Sequence, residues 1–283
     1  MRIITRIKGK KSYYYLQHSV REESKVHTRE IYLGQTIPKN LEQIKKRLLK
    51  EININLYKKF ESIQGHFQTE WRRIPSSAKE QELRNIAIAF TYNTNAIEGS
   101  TITLAETRQI IEDKVAPNRP LRDIKETENH SKVFLAMLEK KQKISCKLLL
   151  EWHKNIFSET KPDIAGRLRD YLVRIGPDVA PDWQDIQRLM NDLMKFVHQK
   201  NMNPVELAGR AHFIFESIHP FGDGNGRIGR LLMNYILWHT GYPMLIIEYA
   251  KRSSYYKAFT HSEEGFLQYF IRRYLAVHKK RLK

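Results

Sequence analysis

His219-Pro220-Phe221-Gly222-Asp223-Gly224-Asn225-Gly226-Arg227-Ile228-Gly229-Arg230 is the stretch on which the reading of this chain turns. On its N-terminal side, Pro204 to Ile218 has helical spacing, with Val205, Ala208, Ala211, Phe215 and Ile218 on or near one apolar face. On its C-terminal side a second helix is expected from about Arg227 to Thr240, stopped by Gly241 and then Pro243. The stretch is a glycine-rich connection between two helices of a mostly α protein.

Arg227 and Arg230 are three apart and share a face where the second helix begins. Cations there oppose the helix macrodipole, which favours negative charge by about 0.3–1 kcal/mol per group. An anion between the arginines and the dipole resolves the conflict. The glycines at 222, 224 and 226 let backbone N–H groups face that anion. No lysine follows in the order of a Walker A loop, so the cradle is of another kind. Asp223 is a lone carboxylate beside the expected phosphates, suited to Mg²⁺. His219 can take a proton at neutral pH. A lone His-Pro pair ends many helices, and a lone run of alternate glycines is often a turn. Base, metal ligand and anion cradle within nine residues instead suggest phosphoryl or nucleotidyl transfer. His212, one heptad before His219, is expected to be structural.

These residues resemble the Fic family signature, H-P-F-x-[DE]-G-N-G-R-x-x-R, at every specified position, and the similarity extends over about residues 85 to 260. The resemblance implies a Fic-type helical core with a short β-hairpin flap. It implies a protein adenylyltransferase moving AMP from Mg-ATP to a Ser, Thr or Tyr hydroxyl. In that scheme His219 is the general base and Asp223 holds Mg²⁺. Gly224, Asn225 and Gly226 form the anion hole, with the Asn225 side chain at the α-phosphate. Arg227 and Arg230 meet the β- and γ-phosphates, and Phe221 is a core anchor. Thr94-Asn95-Ala96-Ile97-Glu98-Gly99 resembles the inhibitory motif [ST]-x-x-x-E-[GN], in which Thr94, Glu98 and Gly99 match. Glu98 is then expected to pair with Arg230 through a bidentate contact, in cis or within a homo-oligomer. The alternative is an i,i+4 pair on an exposed helix.

Gly166 to Ile175 resembles the approach to the flap. Tyr171, Leu172, Val173, Arg174 and Ile175 are assigned to target positioning by strand addition, with an ordinary hairpin as the alternative. Tyr256, with Tyr255, is a candidate border for the adenine or a packing aromatic. Two other functions stand beside AMP transfer. One is removal of AMP from a modified target by the same site. The other is a nucleic-acid-binding regulator with the Fic core as a sensor.

Further out, the first 34 residues read as short strands. Ser12–Leu16 and Glu30–Leu33 suit β structure, with a charged turn from Arg21 to Lys25 between them. After Pro38 and Asn40, Leu41, Ile44, Leu48 and Ile52 set helical spacing. Helices are also expected at 80–95, 124–138, 145–157 with Ser145 as N-cap, and 185–197. Arg169–Ile175 is expected to be a strand entering a turn at Gly176-Pro177-Asp178. The division is a small basic β-rich element over 1–37, a helical region with the inhibitory motif over 38–120, and the catalytic core with C-terminal helices over 121–283.

The 283 residues carry a net charge of +18. Residues 1–80 hold 18 Lys and Arg against 8 Asp and Glu, which suits nucleic acid or a recruited protein as well as an ordinary solvated surface. Cys146 is the single cysteine, so an intrachain disulfide and a thiolate zinc cluster are excluded. No apolar run approaches a membrane span. Met1 to Arg6 leads into Lys8-Gly9-Lys10-Lys11, so no secretory leader is expected and the cytoplasm is the default location.

Overall fold

Isoleucines and tyrosines, residues that favour strands, build a sheet at the start of the chain. The computed structural model describes residues 1–22, 25–176, 178–200 and 202–282. They divide into two compact units, Met1–Ile63 with Leu275–Lys283, and Gln64–Tyr274. In the first unit β1 (Arg2–Lys8), β2 (Lys11–Glu22) and β3 (Lys25–Gly34) form an antiparallel sheet in the order β1-β2-β3. Gly9, at φ +64°, makes the turn between β1 and β2. β1 was not foreseen, and β2 and β3 outrun the expected strands. The expected turn is correspondingly shorter, because Arg21 pairs with Val26 and Glu22 with Lys25. Glu23 and Ser24 lie outside the described residues. Charged residues made this stretch look like a loop, but the strand pairing runs on to Glu22 and Lys25.

Leu16 is fully buried on one face of the sheet. Helix α1 (Leu41–Arg73) follows, and its Phe60 and Ile63 are buried.

The second unit is helical. It contains α2 (Ser76–Ile97), α3 (Leu104–Arg108) running into a π turn over Gln109–Asp113, α4 (Leu121–Glu139) and α5 (Cys146–Phe157). After the hairpin β4 (Arg174–Ile175) and β5 (Asp178–Val179) come α6 (Ile186–Val197), α7 (Pro204–Ile218), α8 (Asn225–His239), α9 (Arg252–Phe259) and α10 (Glu263–Val277). Ser145 caps α5 as expected, its hydroxyl accepting from the Leu148 N–H at 3.2 Å. α8 is the centre of the unit. Every residue from Asn225 to Leu237 is buried, and α7, α2, α4 and α5 pack around it. A helix buried on all sides presents its arginines to other protein groups instead of water, so each arginine needs a partner.

Two expectations need correction. α8 starts at Asn225, two residues earlier than expected, because Gly224 at φ +80° serves as its N-cap. Arg169–Ile175 is not a strand: pairing is confined to Arg174↔Val179 and Ile175↔Asp178. Arg169 is instead buried, and its guanidinium is spent on carbonyl groups of neighbouring turns. Pro177, in the expected turn, lies outside the described residues.

Candidate active site

α7 ends where Pro220 forbids a further helical residue before it. His219 takes the left-handed conformation, φ 51° and ψ 58°, with its N–H on the Phe215 carbonyl at 3.0 Å. For a residue with a Cβ this costs about 1–2 kcal/mol, so the surroundings must impose it. Arg169 does so. Its Nε donates to the His219 carbonyl at 2.8 Å, and its other donors reach the Tyr171 and Pro181 carbonyls at 2.8 and 2.6 Å. The His219 Nδ1–H donates to the Glu216 carbonyl at 3.2 Å. That bond leaves the Nε2 lone pair free to accept a proton. Burial holds the imidazole below the ordinary histidine range, so it stays neutral.

Glu98 occupies the start of α8. It follows the last residue of α2, and its Oε1 accepts from Arg230 Nη2 at 2.6 Å within the same chain. The contact is single and not bidentate as expected. The second acceptor for Nη2 is the Thr94 carbonyl at 3.1 Å. Arg230 is 1% exposed, and leaving a guanidinium at such depth without a carboxylate would cost several kcal/mol. A Cβ placed on Gly226 would come within 2.1 Å of Glu98 Oε1. The carboxylate thus lies against the first turn of α8, where free amides and the dipole favour an anion. Thr94 is buried and Gly99 sits at φ +90°, so the exposed-pair alternative does not describe this helix end.

Asp223 stands in a second charged group. Its Oδ1 accepts from the Gly224 N–H and its Oδ2 from Lys161 Nζ, both at 2.6 Å. Lys161 also reaches Glu126 Oε1 at 2.9 Å, and Arg227 Nη1 donates to Glu126 Oε2. Burial pushes the Glu126 carboxyl up, but Arg227 and Lys161 outweigh it and hold the group ionised. Asp223 is likewise lowered: Lys161 and then Arg227 overcome its burial. A cation already rests on Oδ2, and Mg²⁺ shared between one carboxylate and nucleotide phosphates fits that oxygen. Lys161 and Glu126 were missed because neither lies in a motif. α4 and the turn after α5 bring them in from 97 and 62 residues away along the chain from Asp223.

The other expected residues divide. Asn225 is turned away from the cradle, its amide accepting from and donating to the Phe221 backbone at 2.9 Å each. In this arrangement it clamps the loop. Phe221 is fully buried and stacked on His153 at 4.0 Å. His153 itself ties two loops, accepting from the Gly166 N–H and donating to the Asp223 carbonyl. Tyr171 places its hydroxyl over Gly222, where a Cβ would be 2.0 Å away. Leu172 is exposed, and Val173, just before β4, accepts from the Ala180 N–H across the hairpin at 3.0 Å. Tyr256 is half exposed and donates to the Ile97 carbonyl at 2.7 Å, against the end of α2. Tyr255 is buried between Arg230 and His212, which accounts for His212 as a structural residue.

The Fic/DOC family model matches residues 143–237. A protein named protein adenylyltransferase Fic from Nematostella vectensis is 35% identical over 189 residues, covering 64% of this chain and 44% of that protein. The protein of the same name from Drosophila ananassae is 35% identical over 209 residues, with coverages of 70% and 41%. The chain spans less than half the length of these relatives. Among solved structures, Fic-1 from C. elegans superposes with a TM-score of 0.68 at 26% identity, covering 86% of this chain and 77% of that one. A Fic family protein from Desulfovibrio desulfuricans G20 gives 0.68 at 26%, with coverages of 80% and 73%.

Proposed function

The chain belongs to the Fic/DOC family through residues 143–237, and on that premise we propose that it transfers AMP from ATP to a hydroxyl of a protein under restraint by Glu98. The observation that carries this reading is the Glu98 carboxylate against Gly226 and Arg230: an anion site at a helix start is filled by the protein's own carboxylate. Relatives named protein adenylyltransferase support the chemistry.

His219 Nε2 takes the proton of the target hydroxyl as its oxygen attacks the α-phosphorus. The new O–P bond forms as the bond to the bridging oxygen breaks, and pyrophosphate leaves with the electron pair. The N–H groups at Gly224, Asn225 and Gly226 take the charge of the α-phosphate. Arg227 serves the β-phosphate and Arg230 the γ-phosphate, each drawn from its carboxylate partner. Asp223 would hold Mg²⁺, which would supply charge neutralisation for the phosphates. While Glu98 holds Arg230, ATP lacks its γ-phosphate contact and lies unproductively.

In this scheme residues 121–283 carry the chemistry and 38–120 the restraint through Thr94, Glu98 and Gly99. The strand Arg174–Ile175 aligns the target backbone, and residues 1–37 stand outside the reaction. No helix of the described residues is long and apolar enough to cross a membrane; we place the reaction in the cytoplasm.

The test is incorporation of label from α-labelled ATP with Mg²⁺, into the protein itself and into a host lysate. Wild type, Glu98→Gly and the double variant Glu98→Gly with His219→Ala are compared. Label gained on Glu98→Gly and lost in the double variant is the expected result. ATP binding without label in any variant would sink AMP transfer and leave removal of AMP as the reading to pursue.

A further inference from the structure

One face of the β1–β3 sheet is neither apolar nor uniformly charged. Antiparallel pairing sets Arg6 opposite Tyr13, Tyr15 opposite Tyr32 and Lys8 opposite Lys11. By strand alternation these six side chains share the face opposite to the one that buries Leu16. The Tyr32 ring lies 6.3 Å from that of Tyr13 and 5.2 Å from that of Tyr15. Tyr32 is 52% exposed. The Arg6 guanidinium lies 4.6 Å from the Tyr15 ring centroid. Tyr32, backed by the half-buried Tyr13 and Tyr15, stands beside a turn that exposes Lys8 and Lys11: a flat surface that accepts another flat ring, and cations that meet a polyanion.

We propose that this tyrosine face of the sheet is a docking surface for single-stranded RNA. Bases splayed from a single strand stack on such rings whatever their sequence, and the lysines meet the phosphates. A duplex hides its bases and would engage the lysines alone. An acidic peptide would meet the cations but leave the rings without stacking partners. The choice of RNA over DNA rests on Gln17 and Glu30, which continue the same face. Gln17 Nε2 donates to Glu30 Oε1 at 2.9 Å, and Arg6 pairs with Glu30 at 2.7 Å. A carboxylate repels a phosphate backbone, but it accepts from the 2′-hydroxyl that RNA has and DNA lacks. Hydroxyl groups of Ser19 and Thr28, 3.0 Å apart, extend that polar row. This inference is independent of the transfer chemistry at His219.

Fluorescence anisotropy of the full chain with a labelled, unstructured 12-nucleotide RNA tests it, against DNA of the same sequence and its duplex. Tyr32→Leu should weaken RNA binding by about fivefold or more, the loss expected for one stacked base. Tyr32→Phe keeps the ring and should retain binding, which also guards against a folding defect. Lys8→Gln with Lys11→Gln should flatten the dependence of log K on log salt by about 1–1.5. Equal binding of RNA and DNA, equal binding of the duplex, or indifference to Tyr32→Leu would each overturn the assignment. So would the absence of binding at low salt.

Discussion

Lys161 Nζ rests 2.6 Å from Asp223 Oδ2, the oxygen proposed to hold Mg²⁺. The ammonium is 20% exposed and is shared with Glu126. It neutralises two carboxylates that would otherwise face each other. A dication approaching Asp223 must displace it, whereas a bare nucleotide is attracted by it. Replacing the lysine should therefore separate two quantities that usually move together. In a Glu98→Gly background, Lys161→Met should lower the Mg²⁺ concentration for half-maximal ATP binding several-fold. It should also weaken ATP binding in the presence of a chelator. Calorimetric titration at fixed nucleotide across a Mg²⁺ series reads both. Parallel changes in the two would show that the ammonium does not compete with the metal.

Glu126 is the hub of the same network, and its removal should be felt as lost stability. It is 8% exposed, and Arg227 beside it is 6% exposed. Breaking a buried pair by deleting one partner costs about 3–5 kcal/mol, because the other charge stays behind. Lys161 retains Asp223, so the lower end of that range, about 3 kcal/mol, is expected for Glu126→Ala. The exposed pair Arg108–Glu112 provides the contrast. Glu112→Ala should change stability by no more than about 1 kcal/mol. Urea unfolding of the two variants gives the comparison, and similar midpoints would mean that the Glu126 carboxylate does not anchor Arg227.

The loop and its flanking helices were legible because their information is local. Spacing fixes α7, Gly241 marks the end of α8, and the order of histidine, aspartate, glycines and arginines carries a specific chemistry. Glu98 was legible only through a motif, and its distance from Arg230 could not be read, since 132 residues separate them. What escaped notice is held by long-range packing. Arg169 looked like part of a strand, although its role is to hold the strained His219 through carbonyl groups. Glu126 and Lys161 have no signature, since a buried ion pair is defined by what folds over it.

Glu216 makes a pH dependence visible. Its Oε1 has no hydrogen-bond partner among the described residues and lies 4.0 Å from His212 Nδ1. Its Oε2 lies 3.9 Å from His219 Nδ1. Burial pushes this carboxyl up to about 8; Arg230 pulls against the rise and Glu98 adds to it. Between the ordinary value of 4.5 and about 8 the folded protein keeps a proton that the unfolded chain has released. Stability from this group therefore falls as pH rises through that window. His130, His153 and His212, lowered to about 3, 4 and 3 by burial, act oppositely, favouring the fold as pH rises toward 6.5. Comparison with Glu216→Gln cancels the histidines. The variant should gain thermal stability relative to wild type steadily from pH 5 to pH 8. A constant difference across that range would mean that Glu216 is ionised throughout.

Tyr256 can be assigned by asking which partner misses its hydroxyl. The bond to the Ile97 carbonyl, one residue before Glu98, ties α9 to the end of the helix that delivers the restraining carboxylate. The Tyr249 N–H, donating to Asn93 Oδ1 at 2.7 Å, makes a second tie to the same helix. Tyr256→Phe keeps the ring and removes one partly exposed hydrogen bond, worth about 0.5–1.5 kcal/mol. If that bond helps to seat Glu98, basal AMP incorporation should rise about two- to tenfold, the same free energy expressed as a population of released sites. In the Glu98→Gly background, where nothing remains to be seated, the substitution should leave ATP affinity unchanged. An ATP affinity that falls in that background would move Tyr256 from the restraint to the adenine site. The ring, and not the hydroxyl, would then be the group to vary next.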